Sequence, residues 1–559
     1  MLHPLGTGKL HQKIIATLLF IAFYAASFIV AQDAPNTAAL IKTEIGRPQI
    51  DYVMSVAKCG NKPVIDRDHP GSSDNDCGYE NGHVIKIDGT YHMLMTELFD
   101  YKPHPETLGS VPARVGYWTS TDGDNWKRIG TIVQGTATGR PNDYEDPKNN
   151  TWSSSWYWNE TENRWNIFWR GSWVWRYRSE VEGKNGFAGP YTEAAKVYPP
   201  LKGEVPYWDN NSLDSFGNIY TAEDGKFYSF VGVGDFRNLD DIQWVNGLAW
   251  ADNIDGPWTR VETDGHPTFV YSENPFVNIY EINGRKVYFC VFDDLSNQHS
   301  LGYGYSFDGI HWTGKTLDLT GHTHWAGNND FVTSVRTPCC LIREDDGTYT
   351  IIFTAFGPAP TPWTLFAPIG RVNVSITEVE KPAEKNVVFP GEMNNWKTIH
   401  GDCAVQYGRE YSLGFKNNGC ENVYTPETYN DVTVEATLRY VEQIWDFATA
   451  KAGVYARKTR MEGNPEEGGY SAYLTAKSSV QLYAGNKLLG EAWAGKRPGI
   501  FRKLKLSVKG NRIKVYYDGS DVPCIDVTDD TYTSGGYVGL NACSSHWHYE
   551  KVVITKNEE

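Results

Sequence analysis

The chain has 559 residues and a formal net charge of −16, and aromatic residues make up 14% of it, with 20 Trp and 34 Tyr. This length is enough for two or more domains with ample core. The acidic balance excludes a nucleic-acid or anionic-membrane surface, because such surfaces need clustered Lys and Arg. The many aromatic rings favour a neutral carbohydrate partner, since rings stack on sugar faces; the alternative is that the Trp residues anchor the core.

The N-terminal segment has the pattern of a secretory signal. Lys9 and Lys13 precede an apolar run over residues 14–31 that ends in small residues. We therefore predict a signal peptide over residues 1–31, cleaved after Ala31, and a secreted or periplasmic protein without membrane contact after cleavage. An uncleaved membrane anchor is the alternative.

A unit of strand, polar turn and aromatic-rich strand recurs between residues 50 and 378. Its central turns fall near residues 89, 163, 225, 284 and 347, and most units continue into a second hairpin with an Asp-Gly turn and a Trp, as in "YWTSTDGDNW". Each unit thus supplies about four strands, and a four-stranded unit buries both faces only when neighbours stack around a ring. The repeats predict a five-bladed β-propeller over residues 32–378.

The sequence pattern changes after the fifth repeat. Residues 379–392 are charged, contain two prolines and predict a linker. Beyond them, segments such as "KAGVYARKT" and "KLKLSVKGNRIKVYYDGS" alternate as short strands split by turns. This pattern predicts an antiparallel β-sandwich over residues 393–559, so the fold class is all-β. We also predict that the sandwich folds alone and that the propeller keeps most of its activity on small substrates when the sandwich is removed.

The innermost strand of each blade begins with a polar or charged residue. Alignment of the five strands by their turns places these residues at equivalent positions: Glu80, Ser153, Asp214, Glu273 and Arg336. Since inner strands converge at one end of the propeller axis, these side chains are predicted to share a pocket. Each has a structural alternative, as a turn cap, a solvated loop acid or an ion-pair partner.

Paired carboxyl groups in such a pocket suit glycoside hydrolysis, which needs one acid and one base or nucleophile on either side of the scissile bond. We predict Glu80, Asp214 and Glu273 as catalytic residues. Glu273 is assigned as the proton donor, Asp214 as an ionised modulator, and Glu80 as the group that activates water or attacks.

Further residues near the channel mouth are predicted to contact substrate: Arg336, Asp209, His324, Trp325 and Tyr271. No metal site and no organic cofactor are predicted, and a calcium ion at the centre of the channel is left open. The predicted partner is an oligo- or polysaccharide.

The five blades with an acid at successive inner strands resemble the clan of glycoside hydrolases that includes family 43, over about 330 residues. That resemblance implies an Asp base, an Asp modulator and a Glu acid on three consecutive blades, with inversion at the anomeric carbon. This chain departs from the pattern at Glu80, where the family has Asp, and at Ser153 on the second blade.

The segments "AGVYAR", "GGYSAYL", "KGNRIKVYYDG" and "GGYVGL" resemble the concanavalin-like jelly rolls appended to secreted glycosidases. This second resemblance implies a sugar-binding face formed by Tyr455, Arg457, Tyr473 and Trp547. A purely structural partner domain is the alternative.

Two functions remain open at this stage. The first is a secreted glycosidase that removes terminal sugars from a plant or algal glycan, with arabinofuranosides or xylosides as substrates. The second is a glycan-binding protein whose propeller and sandwich bind without cleavage. Convergence of Glu80, Asp214 and Glu273 on one sugar would favour the first.

Nine cysteines follow the apolar run. Three spacings are compatible with short disulfide loops in an oxidising compartment: Cys59 with Cys77, Cys403 with Cys420, and Cys524 with Cys543.

Overall fold

A computed structural model describes most of the chain beyond the predicted signal peptide. The described residues are 49–75, 77–98, 102–104, 107–110, 113–134, 152–170, 174–198, 213–235, 243–260, 268–295, 300–322, 334–356, 366–381, 387–388, 396–399, 405–407, 410–413, 420–443, 449–459, 468–494 and 499–557. Across these ranges, no helix is long and apolar enough to cross a membrane.

Five antiparallel sheets form the first domain, one for each predicted repeat. After β1 (Gln49–Cys59), the first two blades have these strands: β2 (Gly78–Ile87), β3 (Thr90–Leu98), the hairpin β4 (Lys102–His104) and β5 (Thr107–Ser110), β6 (Ala113–Ser120), β7 (Lys127–Val133); β8 (Trp152–Asn159), β9 (Arg164–Arg170), β10 (Val174–Glu182), β11 (Tyr191–Tyr198). Two short 3-10 helices, Pro70–Ser72 and Lys184–Ala188, accompany them.

The third, fourth and fifth blades follow the same plan. Their strands are β12 (Leu213–Phe216), β13 (Tyr220–Thr221), β14 (Phe227–Asp235), β15 (Gln243–Ala251), β16 (Thr259–Arg260), β17 (Phe269–Val270); β18 (Ser272–Ile282), β19 (Arg285–Asp294), β20 (Ser300–Ser306), β21 (Thr313–Asp318); β22 (Ser334–Pro338), β23 (Ile342–Arg343), β24 (Tyr349–Phe356), β25 (Ile369–Lys381).

The five innermost strands lie side by side in the cyclic order β2, β8, β12, β18, β22 and back to β2. This closed ring confirms the predicted five-bladed propeller. The fifth blade is completed by β1, which pairs along its length with β25, so the N-terminal strand closes the ring. Strand β25 runs to Lys381, three residues into the segment predicted as linker.

Two Asp-Gly turns have the same internal bonding in the first and fourth blades. Asp122 accepts hydrogen bonds from the amides of Asp124 and Asn125, and the Trp126 indole donates to the Gly123 carbonyl at 2.9 Å. Asp308 and the indole of Trp312 repeat this arrangement. These motifs are structural turns, as their Trp-containing repeats indicated.

The second domain is a two-sheet sandwich. One sheet contains β26 (Val387–Val388), β28 (Val405–Tyr407), β29 (Glu410–Leu413), β31 (Val432–Gln443), β36 (Arg502–Lys509), β37 (Arg512–Tyr517), β38 (Ile525–Thr528), β40 (Ser545–Lys556), and the other β27 (Lys397–Ile399), β30 (Cys420–Tyr429), β32 (Lys451–Lys458), β33 (Tyr470–Thr475), β34 (Ser479–Ala484), β35 (Lys487–Trp493), β39 (Gly536–Cys543). The facing sides are apolar and fully buried, as alternation predicts. Strand β26 pairs with β40, so part of the predicted linker belongs to this sandwich.

The cysteines do not pair as their spacing suggested. Cys59 and Cys524 are free thiols, whereas Cys543 is disulfide-bonded. Two of the three predicted loops are therefore wrong, because sequence proximity does not ensure that two Cβ atoms approach within bonding distance. Cys543 lies opposite Cys420 on the neighbouring strand; Cys403 lies outside the described residues.

Candidate functional site

Each of the five inner strands changes register against its hairpin partner at the same level of the ring. The shifts lie between Tyr79 and Gly82, Trp152 and Ser155, Leu213 and Ser215, Glu273 and Phe276, and Arg336 and Pro338. An extra residue in one strand bends it and redirects the adjacent side chains. The residues aligned from the sequence therefore coincide with a repeated backbone feature.

Left-handed backbone marks three of these shifts. Asn81, Asn274 and Thr337 have φ of 59°, 51° and 50°, and each directly follows one of the candidate residues Glu80, Glu273 and Arg336. The three blades involved are the fourth, the fifth and the first, which are consecutive around the closed ring.

Three carboxylates converge on the guanidinium of Arg336. Its Nη2 donates to Oε2 of Glu273 in a close contact and lies 3.9 Å from Oε1 of Glu80, while its Nε lies 3.4 Å from Oδ2 of Asp293. The side-chain exposures are 20% for Arg336, 12% for Glu80, 7% for Glu273 and 0% for Asp293. Asp293 thus forms the floor of the cluster, and Arg336 with Glu80 lies nearest the opening.

Neighbouring polar groups fix this arrangement. The side-chain Nδ2 of Asn274 donates to Oδ2 of Asp293 at 3.2 Å, and its Oδ1 accepts a 2.7 Å hydrogen bond from the side-chain Nδ2 of Asn81. The backbone N–H of Thr337 donates to Oδ1 of Asp293. The fourth blade is therefore hydrogen-bonded to the first blade through Asn81 and to the fifth blade through Thr337.

The electrostatics of the cluster follow from burial and charge. Burial raises the pKa of Asp293 to about 6, although Arg336, the Thr337 amide and Asn274 oppose the rise. Burial alone would lower the pKa of Arg336, but the charges of Glu273, Asp293 and Glu80 outweigh it and hold that pKa above its usual range. Arg336 therefore stays charged, and the net charge of the site depends on Asp293 near pH 6.

His83 lies three residues after Glu80 on β2. Its Nδ1 accepts a 2.9 Å hydrogen bond from the backbone N–H of Trp156, and its ring packs edge-on against Phe276 with centroids 4.5 Å apart. Burial lowers the pKa of His83 to about 3. The ring is consequently neutral and carries its hydrogen on Nε2, a tautomer set by the Trp156 contact.

The structure brings together three of the residues predicted from the sequence, Glu80, Glu273 and Arg336. Asp214 lies on β12 at the register shift, but its side chain is outside the described part of the chain. Asp209, His324 and Trp325 are also outside the described residues, so these remain predictions. Tyr271 is 3% exposed and stacks on Tyr440 of the sandwich, a domain contact that its sequence did not indicate.

Asp293 and His83 were missed by sequence reasoning. The signal for Asp293 was available, because the hairpin around Asn283 and Gly284 ends on the acid pair Asp293 and Asp294, opposite Glu273. Counting the second strand of that hairpin as well as the first would have found it.

Groups of three or more His, Cys, Asp or Glu that could hold a metal ion are absent from the described residues. The three carboxylates instead share one arginine, whose positive charge takes the place that a cation would need. The predicted calcium at the channel centre remains a separate, open prediction.

All four residues of the sugar-binding face implied for the sandwich are buried. Tyr455, Tyr473 and Trp547 are 0% exposed and Arg457 is 2% exposed. Arg457 donates to the backbone carbonyls of Asn430, Gly510 and Tyr532, so it ties loops together. Their side chains have structural roles.

Fold and site together define an all-β protein in which a five-bladed propeller with a central acid–arginine cluster packs on a jelly-roll-type sandwich. Residues 384–555 match the family model described as the 3-keto-alpha-glucoside-1,2-lyase-like domain. This match covers the sandwich and less than a third of the chain. No curated protein matches the chain.

Solved glycoside hydrolases are among the structures to which the chain is similar. A xylan beta-1,4-xylosidase from Bacillus halodurans C-125 is 13% identical, with 89% of this chain and 100% of that chain covered and a TM-score of 0.33. A family 117 glycoside hydrolase from the marine bacterium Zobellia galactanivorans is 16% identical over 59% of this chain and 91% of that chain, with a TM-score of 0.35. The carbohydrate binding module CBM66 from Bacillus subtilis is 18% identical over 29% of this chain and 96% of that one, with a TM-score of 0.25. The strand pairing of the chain itself, rather than these distant similarities, establishes the fold.

Proposed function

We propose that the protein is a glycoside hydrolase whose propeller removes terminal sugars from a neutral plant or algal glycan. The observation that carries the proposal is the approach of Glu80 and Glu273, 193 residues apart in the chain, to one nitrogen of Arg336 at the centre of the ring. Two carboxyl groups that flank one sugar are what hydrolysis of a glycosidic bond requires.

The ion pair changes the assignment of roles that the sequence favoured. A guanidinium in direct contact favours the carboxylate form of Glu273, which suits a base or a nucleophile better than a proton donor. Glu80 is the more weakly paired of the two, at 3.9 Å, and is more exposed. We therefore assign proton donation to Glu80 and activation of water, or attack, to Glu273.

Arg336 then has two roles. It keeps Glu273 ionised, and it carries positive charge beside the carboxylates so that two acids can lie close together without mutual repulsion. Asp293 anchors Arg336 from below and does not reach the substrate, because it is fully buried. Asp214 keeps its predicted role as modulator within this proposal.

Secretion belongs to the same proposal, because a polymeric glycan is met outside the cell. The support is the apolar segment over residues 14–31 with its basic flank. Mass spectrometry of the mature protein should find an N-terminus near Gln32.

The test is a screen of the full chain on aryl arabinofuranosides and xylosides and on plant and algal polysaccharides, with the anomeric form of the first product followed by NMR. Release of a monosaccharide from any of them supports the proposal, and the anomer released distinguishes inversion from retention. Tight binding of a glycan without any release would favour the second function, a non-catalytic glycan-binding protein. The close pairing of Glu273 with Arg336 is the observation on that side, since a neutralised acid can bind sugar hydroxyls without cleaving.

A further inference from the structure

The sandwich packs directly against the segment that leads into Glu273. Val270 and Tyr271 belong to the same apolar cluster as Tyr440 and Trp547 of the sandwich. The rings of Tyr271 and Tyr440 are stacked with centroids 6.1 Å apart and planes at 17°, and Tyr440 in turn packs edge-on against Trp547 at 5.3 Å. The core of the second domain therefore extends to within two residues of the acid cluster.

The backbone of the same segment is hydrogen-bonded by the sandwich. Arg439 donates to the Thr268 carbonyl at 2.6 Å, and the Val270 N–H donates to the Gly499 carbonyl at 3.3 Å. A Cβ on Gly499 would lie 2.4 Å from the Val270 carbonyl oxygen and 3.0 Å from the Tyr271 ring. Only glycine allows so close an approach.

A second contact reaches the other strand of the hairpin. Arg502 of the sandwich donates to Thr316 Oγ1 at 3.2 Å, and that hydroxyl donates to Oδ2 of Asp294 at 2.8 Å. Asp294 follows Asp293 and lies opposite Ser272 across the hairpin. Both strands are thus held by the sandwich at the end where the site lies.

Tyr271 has a backbone conformation that needs such support. Its φ is 51°, an unfavourable left-handed value for a bulky aromatic residue, which persists only where the surroundings impose it. The Tyr440 stack and a 2.9 Å hydrogen bond from the Leu295 N–H to the Tyr271 carbonyl impose it here. This conformation sets the direction in which the chain enters β18.

We propose that the sandwich positions the propeller's active site: Arg439, Tyr440 and Gly499 hold residues 268–271 in the conformation that aims Glu273 at Arg336 and the sugar. They are positioning residues, since they act on Glu273 through the preceding residues Thr268, Val270 and Tyr271. The proposal rests on the proposed glycosidase function, and it replaces the expectation of separable domains, because the interface includes the entry to β18.

The test uses three full-length variants and one control. Gly499→Ala inserts a methyl group at the contact, Tyr440→Leu removes the stacked ring, and Tyr440→Phe keeps it. Gly130→Ala is the matched control, because an added Cβ there meets nothing within 4 Å. The readouts are kcat and KM on a glycoside that the wild type cleaves, Tm, and hydrogen–deuterium exchange over residues 268–276.

We expect Gly499→Ala and Tyr440→Leu to lower kcat by roughly 10²-fold with little change in KM, since a misplacement of about 1 Å has that effect on a catalytic group. Exchange should rise over residues 269–274, while Tyr440→Phe and Gly130→Ala match the wild type. Wild-type kcat in Gly499→Ala overturns the proposal. So does a loss of rate that Tyr440→Phe shares, or one that follows a fall in Tm without faster exchange near Tyr271.

The two proposals fail in different ways. If the wild type cleaves no glycoside on the panel, the proposed function fails and the exchange data decide alone. Faster exchange over residues 269–274 in Gly499→Ala would then still support control of this segment by the sandwich, and unchanged exchange there would refute it.

Discussion

Three N–H donors, from Arg336, Asn274 and Thr337, surround the carboxylate of Asp293 and favour its ionised form. Burial opposes them strongly enough that the pKa still lies at about 6. Hydrogen bonding and desolvation therefore shift the pKa of Asp293 in opposite directions, as often occurs at functional sites.

The raised pKa of Asp293 predicts that the stability of the protein depends on pH. The pKa of about 6 in the folded state exceeds the usual Asp value of about 3.9, so the folded protein binds this proton more tightly than the unfolded chain. The stabilisation that comes from binding this proton is fully present below about pH 4 and is lost as the pH rises through 6. The free energy of unfolding of the wild type, relative to Asp293→Asn, should therefore fall by roughly 1–3 kcal/mol between those pH values.

Urea unfolding at pH 4, 5, 6 and 7 measures this difference. Asp345→Asn, on an exposed turn of the fifth blade, is the control variant. A constant difference between wild type and Asp293→Asn across the range would contradict the raised pKa.

The two glutamates should respond differently to the leaving group. Glu80→Gln should lower the rate on a natural glycoside by roughly 10²- to 10⁴-fold and on a dinitrophenyl glycoside much less, because a good leaving group needs no proton. Glu273→Gln should lower both alike, since both need the base or nucleophile. Steady-state rates on the two substrates with correctly folded variants decide the assignment, and the reverse pattern would restore Glu273 as the proton donor.

At the scale of the element, the register shifts place the cluster. Asn274 serves two purposes at its shift, because it adopts the left-handed conformation more readily than most residues and its side chain bonds Asp293 and Asn81. The two purposes can be separated by substitution.

Asn274→Gly should keep the backbone and lose the two hydrogen bonds, at a cost of about 1–2 kcal/mol in the free energy of unfolding. Asn274→Val should cost a further 1–3 kcal/mol or so, because a β-branched residue resists this conformation. Asn283, at φ 50° in the exposed turn of the same hairpin, is the control. There only the Val variant should be destabilised in urea unfolding, and equal effects of Gly and Val at position 274 would argue against a strained shift.

At the scale of the whole molecule, the ring is closed by a strand from the opposite end of the propeller sequence. Tyr52 and Met54 of β1 are buried in the apolar cluster of the fourth and fifth blades, and the Tyr52 hydroxyl donates to Glu378 on β25 at 2.8 Å. Closure of this kind links the first and last parts of the domain.

A chain that begins at Gly60 should therefore lose cooperative unfolding and aggregate, because removal of β1 exposes the edge of β25. A chain that begins at Gln32 keeps β1 and should unfold as the full-length protein does. Thermal unfolding followed by circular dichroism, with light scattering, compares the two. Equal transitions would show that the fifth blade is stable without its outer strand.

The sequence by itself determined the blades and three members of the cluster. Hairpin turns, strand alternation and a repeat of about sixty residues are local signals, so counting back from each turn was enough to align Glu80, Glu273 and Arg336. The tertiary structure alone decided four features: the burial of Asp293, the placement of β1 beside β25, the free thiol of Cys59, and the stacking of Tyr271 on Tyr440. Each depends on which distant segments pack together, and burial, ion pairing and domain contact are properties of that packing rather than of any local pattern.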